Sequence, residues 1–331
     1  MAQAHATTWE ACFSRVAMGL AMLAEACLRK HMSITIILNP NAGTARQRSS
    51  LFQTLEQRPD ITCHVTQQPG QGAVLAAEAL AAGSELVVAA GGDGTVNEVV
   101  NGLAADFRRA RLGIIPLGTG NDLARTLAIP VDPLEAFDLL AAGTERAIDV
   151  IRVETAGRIT YGVNMAIGGF TGQMNERLTD ELKSNWGPLS YLIGAVQVVP
   201  DLTEYQTTIT WEDGTTEYLT TLNIAVANGR TAAGGFQVAP RANPEDGLLD
   251  VIVVRYDSLP VVAEVATRFV AGTYLEHEQV HYRRTPHVHV ASRPGMWFNL
   301  DGELLTNEPI TCAVLPQALR TIVGPAYAAM V

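Results

Sequence analysis

The chain has 331 residues, 47% of them hydrophobic, and a formal net charge of −11. That length and apolar content support two hydrophobic cores and so two domains. The negative balance excludes broad nucleic-acid binding, which needs clustered positive charge, and gives no general attraction to anionic lipid. No uncharged apolar run reaches membrane-spanning length, and Cys12, Cys27, Cys63 and Cys312 lack any C-x-x-C spacing. A reducing cytoplasm is the expected location.

In chain order, residues 9–28 are apolar but interrupted by Arg15 and Glu25. They read as an amphipathic helix or as an extension ahead of Met32, so residues 1–32 are set apart. Ile34–Leu38 is a continuous apolar run, as in a strand buried on both faces. The pattern then predicts a helix at 50–57, a strand at Ile61–Val65, a helix at 73–82 and a strand at 85–90. Val96, Val99, Val100 and Leu103 recur at helical spacing. A strand at 112–116 and a helix at 122–127 complete the alternation, which predicts a parallel sheet with helices on its faces. Beyond Gly143 the character changes. Strands are expected at 147–154, 159–165, Tyr205–Trp211, Thr216–Ala227, 249–255, 280–284, 287–291, 296–300 and 310–315, and helices at 188–199 and Leu259–Val270. Asp213-Gly214 marks one hairpin turn.

The fold class is therefore α/β. An N-terminal three-layer, doubly wound parallel-type sheet domain spans 33–143, with residues from about 316 to 331 returning to it. A C-terminal antiparallel β-sandwich-like domain spans 144–315.

Two loops follow strands directly and open helices. Gly91, Gly92, Asp93, Gly94 and Thr95 form the first; Gly118, Thr119, Gly120, Asn121 and Asp122 form the second. Backbone amides at a helix start attract anions, and glycine lets a phosphate approach closely. An ordinary glycine-rich cap is the plain alternative. Asn97 stands where a dinucleotide fingerprint needs its third glycine, and no Walker loop is present. The only two lysines are Lys30 and Lys183, away from both loops. Phosphate charge would then fall to amides, to arginines such as Arg46 and Arg48, and to Mg²⁺ near Asp93 and Asp122.

Asn39-Pro40-Asn41-Ala42-Gly43, the segment Gly91 to Glu98, and Pro116 to Asp122 together resemble the diacylglycerol kinase catalytic-domain family, above all the bacterial YegS-type lipid kinases. The likeness continues through Ala227-Asn228-Gly229-Arg230, Gly234-Gly235, Pro244 to Asp250, and Phe298 to Glu303. It covers residue 33 to the C-terminus. Gly-Gly-Asp-Gly alone is shared with NAD kinases and phosphofructokinases.

The resemblance implies ATP-dependent transfer of a phosphate to a lipid hydroxyl, on diacylglycerol, phosphatidylglycerol or a related lipid, with Mg²⁺. It implies a nucleotide between the domains and peripheral contact with the membrane. It places nucleotide contacts on Asn39, Thr66, Gly92 to Glu98 and Thr119, and a structural magnesium on Asp246 and the carbonyls of Asn243 and Leu248.

Asp301-Gly302-Glu303 reads locally as a hairpin turn; under the resemblance, Asp301 or Glu303 accepts the hydroxyl proton. Asp301 is expected at the reacting centre, with Glu303 next. Three other readings stand beside this one. The acceptor could be soluble, such as NAD, or the chain could bind nucleotide without transfer. His277, Glu278 and His281 spell H-E-x-x-H, a zinc-peptidase motif that needs both histidines on one helix. Arg284 replaces the glycine expected at the following turn, and Val280, Tyr282, Val288 and Val290 alternate as strands do.

Overall fold

The computed structural model describes residues 33–43, 61–169 and 203–328. The expected helices at 50–57 and 188–199, residues 1–32, and Arg46 and Arg48 lie outside them. The described residues divide into two compact units. The first holds those up to Gly118, with Leu127–Arg146 and Arg320–Tyr327; the second holds Thr119–Thr126, those within Ala147–Leu319, and Ala328.

The first unit begins with β1 (Ile34–Leu38) and β2 (Ile61–Val65), followed by α1 (Gln71–Ala81), β3 (Leu86–Gly91), α2 (Asp93–Gly102) and β4 (Arg111–Pro116). The strands pair in parallel in the order β4-β3-β1-β2. Such a sheet is covered on both faces, which is why β1 and β3 are buried at every position. Ile34, Ile36 and Leu38 share one face with Leu86, Val88 and Ala90. α3 (Asp122–Thr126) belongs to the second unit, and α4 (Pro133–Ala142) returns to the first. Phe137 and Leu140 of α4 pack on that shared face, while α1 and α2 pack against β1 and β3. α4 starts where Asp132 accepts the amides of Leu134 and Glu135 and Pro133 fills the first position.

The second unit is antiparallel. Its strands are β5 (Thr144–Thr155, whose first residues belong to the first unit), β6 (Arg158–Gly162), β7 (Met165–Gly169), β8 (Tyr205–Trp211), β9 (Thr216–Ala227), the short β10 (Thr231–Ala232) and β11 (Phe236–Gln237), and β12 (Leu249–Arg255). α5 (Leu259–Val270) precedes β13 (Val280–Thr285), β14 (His287–Arg293), β15 (Phe298–Leu300), β16 (Glu303–Thr306) and β17 (Ile310–Val323). β17 ends in the first unit, where Thr321 lies opposite Leu112. Alternate residues of β12 feed two cores: Val251 and Val253 join Trp211 and Phe298 inside the sandwich, while Ile252 faces Val265 and Tyr274.

The single strand expected at 159–165 is two strands, β6 and β7, broken at Val163 and Asn164. The amides there leave the ladder for a side chain, Asp301. Among the described residues no helix is long and apolar enough to cross a membrane.

Candidate active site

In the first unit, strand ends line up in register, with Leu38 opposite both Val65 and Ala90 and Gly91 opposite Pro116. The chain leaves each strand through one further bond: Asn39 N–H to Ala90 O, Thr66 N–H to Leu38 O, and Leu117 N–H to Gly91 O. This edge is where ligands of parallel sheets bind. Asn39 Nδ2 donates to Thr95 Oγ1 at 3.2 Å, and Asn39 Oδ1 accepts the amide of Asn41. Buried Thr66 also donates its hydroxyl to Leu38 O.

The glycines of the first loop have separate causes. A Cβ on Gly91 would sit 2.2 Å from Thr95 Oγ1, and one on Gly92 would lie 3.2 Å from Gly118 Cα. Packing within the first loop, against Thr95, therefore accounts for Gly91, and the close approach of Gly118 accounts for Gly92. Gly92, Asp93, Gly94 and Asn97 remain partly exposed at the start of α2, where helix amides carry partial positive charge. Glu98 does something local. Its carboxylate accepts Gly70 N–H at 2.7 Å and Gly72 N–H at 2.8 Å, capping α1.

In the second unit, Thr119 is exposed and Asn121 takes a left-handed φ of 52° just before α3. Asp122 is buried, and its oxygens accept the amides of Gly235 at 2.8 Å and Gly234 at 3.0 Å. Burial raises its pKa, an effect those two amides partly offset. The aspartate expected beside a phosphate thus holds a distant Gly-Gly turn.

The hairpin β15–β16 turns on Asp301 and Gly302, with φ of 50° and 92°, and pairs Leu300 with Glu303. Positive φ at both positions is the signature of the type I′ turn. The buried Asp301 carboxylate accepts three amides: Val163 and Asn164 at 2.9 Å and Met165 at 3.0 Å. Glu303, two residues on, is exposed. The pair that sequence left unordered is separated by environment, one carboxylate committed to backbone and one open to solvent.

The 163–165 segment is held from its other side too. Asn228 and Gly229 donate their amides to Asn164 O at 2.8 and 2.7 Å, and Asn228 Nδ2 donates to Val163 O. Neither Asn164 nor Asn228 stood out individually in the sequence. Their only signal was the Asn228-Gly229 pair, and a Cβ on Gly229 would meet Asn164 Oδ1 at 1.9 Å.

Asp246 Oδ1 accepts the Leu248 amide at 2.9 Å, and Oδ2 is bound by the Arg284 guanidinium. Asn243 O accepts the Asp246 amide at 3.4 Å. The one carboxylate of the magnesium set implied there already carries an internal cation, so the residues do not fit a divalent ion. Among the described residues no group of three or more His, Cys, Asp or Glu is placed to hold a metal. Asp93, acidic and partly exposed in the first turn of α2, does fit a hydrated cation beside phosphate. His277 follows a short 3-10 turn and His281 lies on β13, so H-E-x-x-H is not on a helix.

Residues 33–153 match the diacylglycerol kinase catalytic domain, and residues 164–323 match the YegS C-terminal NAD kinase beta sandwich-like domain. A diacylglycerol kinase of Staphylococcus carnosus is 30% identical over 272 residues, covering 81% of this chain and 87% of that protein. A probable lipid kinase, YegS-like, of Stenotrophomonas maltophilia is 33% identical over 291 residues, covering 86% and 94%. A crystal structure of a diacylglycerol kinase from Bacillus anthracis shares the fold, with a TM-score of 0.68, 23% identity, and coverage of 89% of this chain and 98% of that one.

Proposed function

The chain belongs to the diacylglycerol kinase and YegS-like family of lipid kinases, and from that premise we propose that it moves the ATP γ-phosphate to a lipid hydroxyl with Glu303 as base. The observation that carries this is the division of labour in the Asp301-Gly302-Glu303 turn. Asp301 fixes the turn through three amides, and Glu303 stands exposed on the rigid hairpin.

In the first unit, Asn39, Thr66, Gly92, Asp93, Gly94, Thr95, Asn97 and Gly118 form the proposed nucleotide edge. Amides at the start of α2 offset charge on the transferring phosphoryl group, in the role a lysine fills elsewhere. Mg²⁺, when bound, would neutralise phosphate oxygens, and Asp93 would hold it through water. Glu303 accepts the proton as the lipid oxygen bonds to phosphorus and the bond to the β-phosphate bridging oxygen breaks. Diacylglycerol is the proposed acceptor, because relatives bear that name. Contact with the membrane is peripheral in this reading.

The test is a panel. Purified protein, γ-labelled ATP and Mg²⁺ are incubated with diacylglycerol, phosphatidylglycerol, a sphingoid base and NAD. Label on diacylglycerol supports the reading. Label on NAD alone, or on no acceptor, defeats it.

A further inference from the structure

We propose that Arg284 is the resident cation of the Asn243–Leu248 turn, and that this unit folds without the divalent ion its resemblance implies. The arrangement starts in the sheet. β12 and β13 pair with Asp250 directly opposite Arg284 and Ile252 opposite Tyr282. Residues opposite each other in an antiparallel pair project to the same face, and alternate residues of one strand share it. Arg284, Tyr282 and Asp250 therefore meet by register rather than by the chance conformation of a loop.

Asp250 is wholly buried. Tyr282 donates its hydroxyl to Oδ1. Among the described residues Oδ2 has no hydrogen-bond donor; Arg284 Nε lies 3.9 Å from it, and the positive charge of Arg241 also acts on this carboxylate. The same guanidinium binds Asp246 Oδ2 through Nη2. One arginine thus spans a sheet carboxylate and a turn carboxylate, the task a bridging metal would perform. Burial raises the Asp250 pKa, with Asp246 adding to the rise and Tyr282 and Arg284 opposing it. A divalent ion at Asp246 would have to displace a planar donor that the strand register holds in place. The inference is independent of which acceptor is phosphorylated and of whether Glu303 is the base.

The test reads folding, not activity. Wild-type protein without nucleotide is melted in EDTA and in excess Mg²⁺, and amide exchange across residues 243–250 is followed in both. The expected result is the same melting temperature and the same protection in both buffers. Arg284→Ala is expected to melt several degrees lower, with Arg284→Lys in between. A wild type that melts lower in EDTA and recovers with Mg²⁺, or gains protection at 243–250 on adding Mg²⁺, overturns the proposal. An Arg284→Ala protein that melts like wild type overturns it equally.

Discussion

Asn164 donates its amide hydrogen to Asp301 Oδ1 at 2.9 Å, joining positions 137 residues apart. With the bonds from Val163 and Met165, it makes Asp301 the clamp that breaks β6 from β7 and sets the turn before Glu303.

The two carboxylates should therefore fail in different ways. Asp301→Ala leaves three buried amides without an acceptor and should cost about 2–4 kcal/mol of stability, with activity lost alongside. Glu303→Gln removes an exposed carboxylate and should leave the urea midpoint unchanged while turnover falls roughly 10²–10⁴-fold. Denaturation and steady-state kinetics on the two variants separate clamp from base. Equal loss of stability in both would contradict the assignment.

Glu98 was expected at the nucleotide, yet it caps α1 through Gly70 and Gly72. Glu98→Ala should cost about 1–2 kcal/mol in the first unit, the loss of a two-amide cap. A direct nucleotide contact predicts the opposite pattern: a raised KM for ATP with an unshifted unfolding midpoint.

Gly91→Ala puts a methyl 2.2 Å from Thr95 Oγ1. Thr95 is buried and bonded to Asn39, so it cannot step aside without breaking that bond. We expect about 1–3 kcal/mol of overpacking strain and weaker ATP binding, read by thermal melting and equilibrium titration.

Asp250 gives a pH signature. Its pKa is raised by burial above the ordinary 3.8, so the folded state holds its proton more tightly than the unfolded state. Stability from this group is full below pH 3.8 and falls as pH rises through the raised value. Asp250→Asn keeps an acceptor for Tyr282 and removes the titration. The melting temperature of wild type relative to this variant should therefore decline as pH rises from about 4. A difference that grows with pH would reverse the sign and contradict the assignment.

Much of the fold was legible because burial leaves a local trace. β1 and β3 read as strands from continuous apolar runs, and β8, β9 and β12 from strand-forming runs with turn signals between them. α4 was missed although Asp132-Pro133 announces its start. The last of the strands was expected at 310–315. It runs to Val323, absorbing Gln317 with a φ of 47°. The site was less legible, because the fates of its carboxylates are set by distant backbone. Asp122 answers to Gly234 and Gly235, and Asp301 to Val163, Asn164 and Met165; no local pattern encodes those bonds.

The most direct test is single-turnover transfer from γ-labelled ATP to diacylglycerol vesicles, comparing wild type with Glu303→Gln at saturating nucleotide. Label reaching the lipid with wild type, and a rate lower by at least roughly a hundredfold in the variant with unchanged folding, is the predicted result. Equal rates in both proteins, or no labelled lipid with wild type, would contradict it.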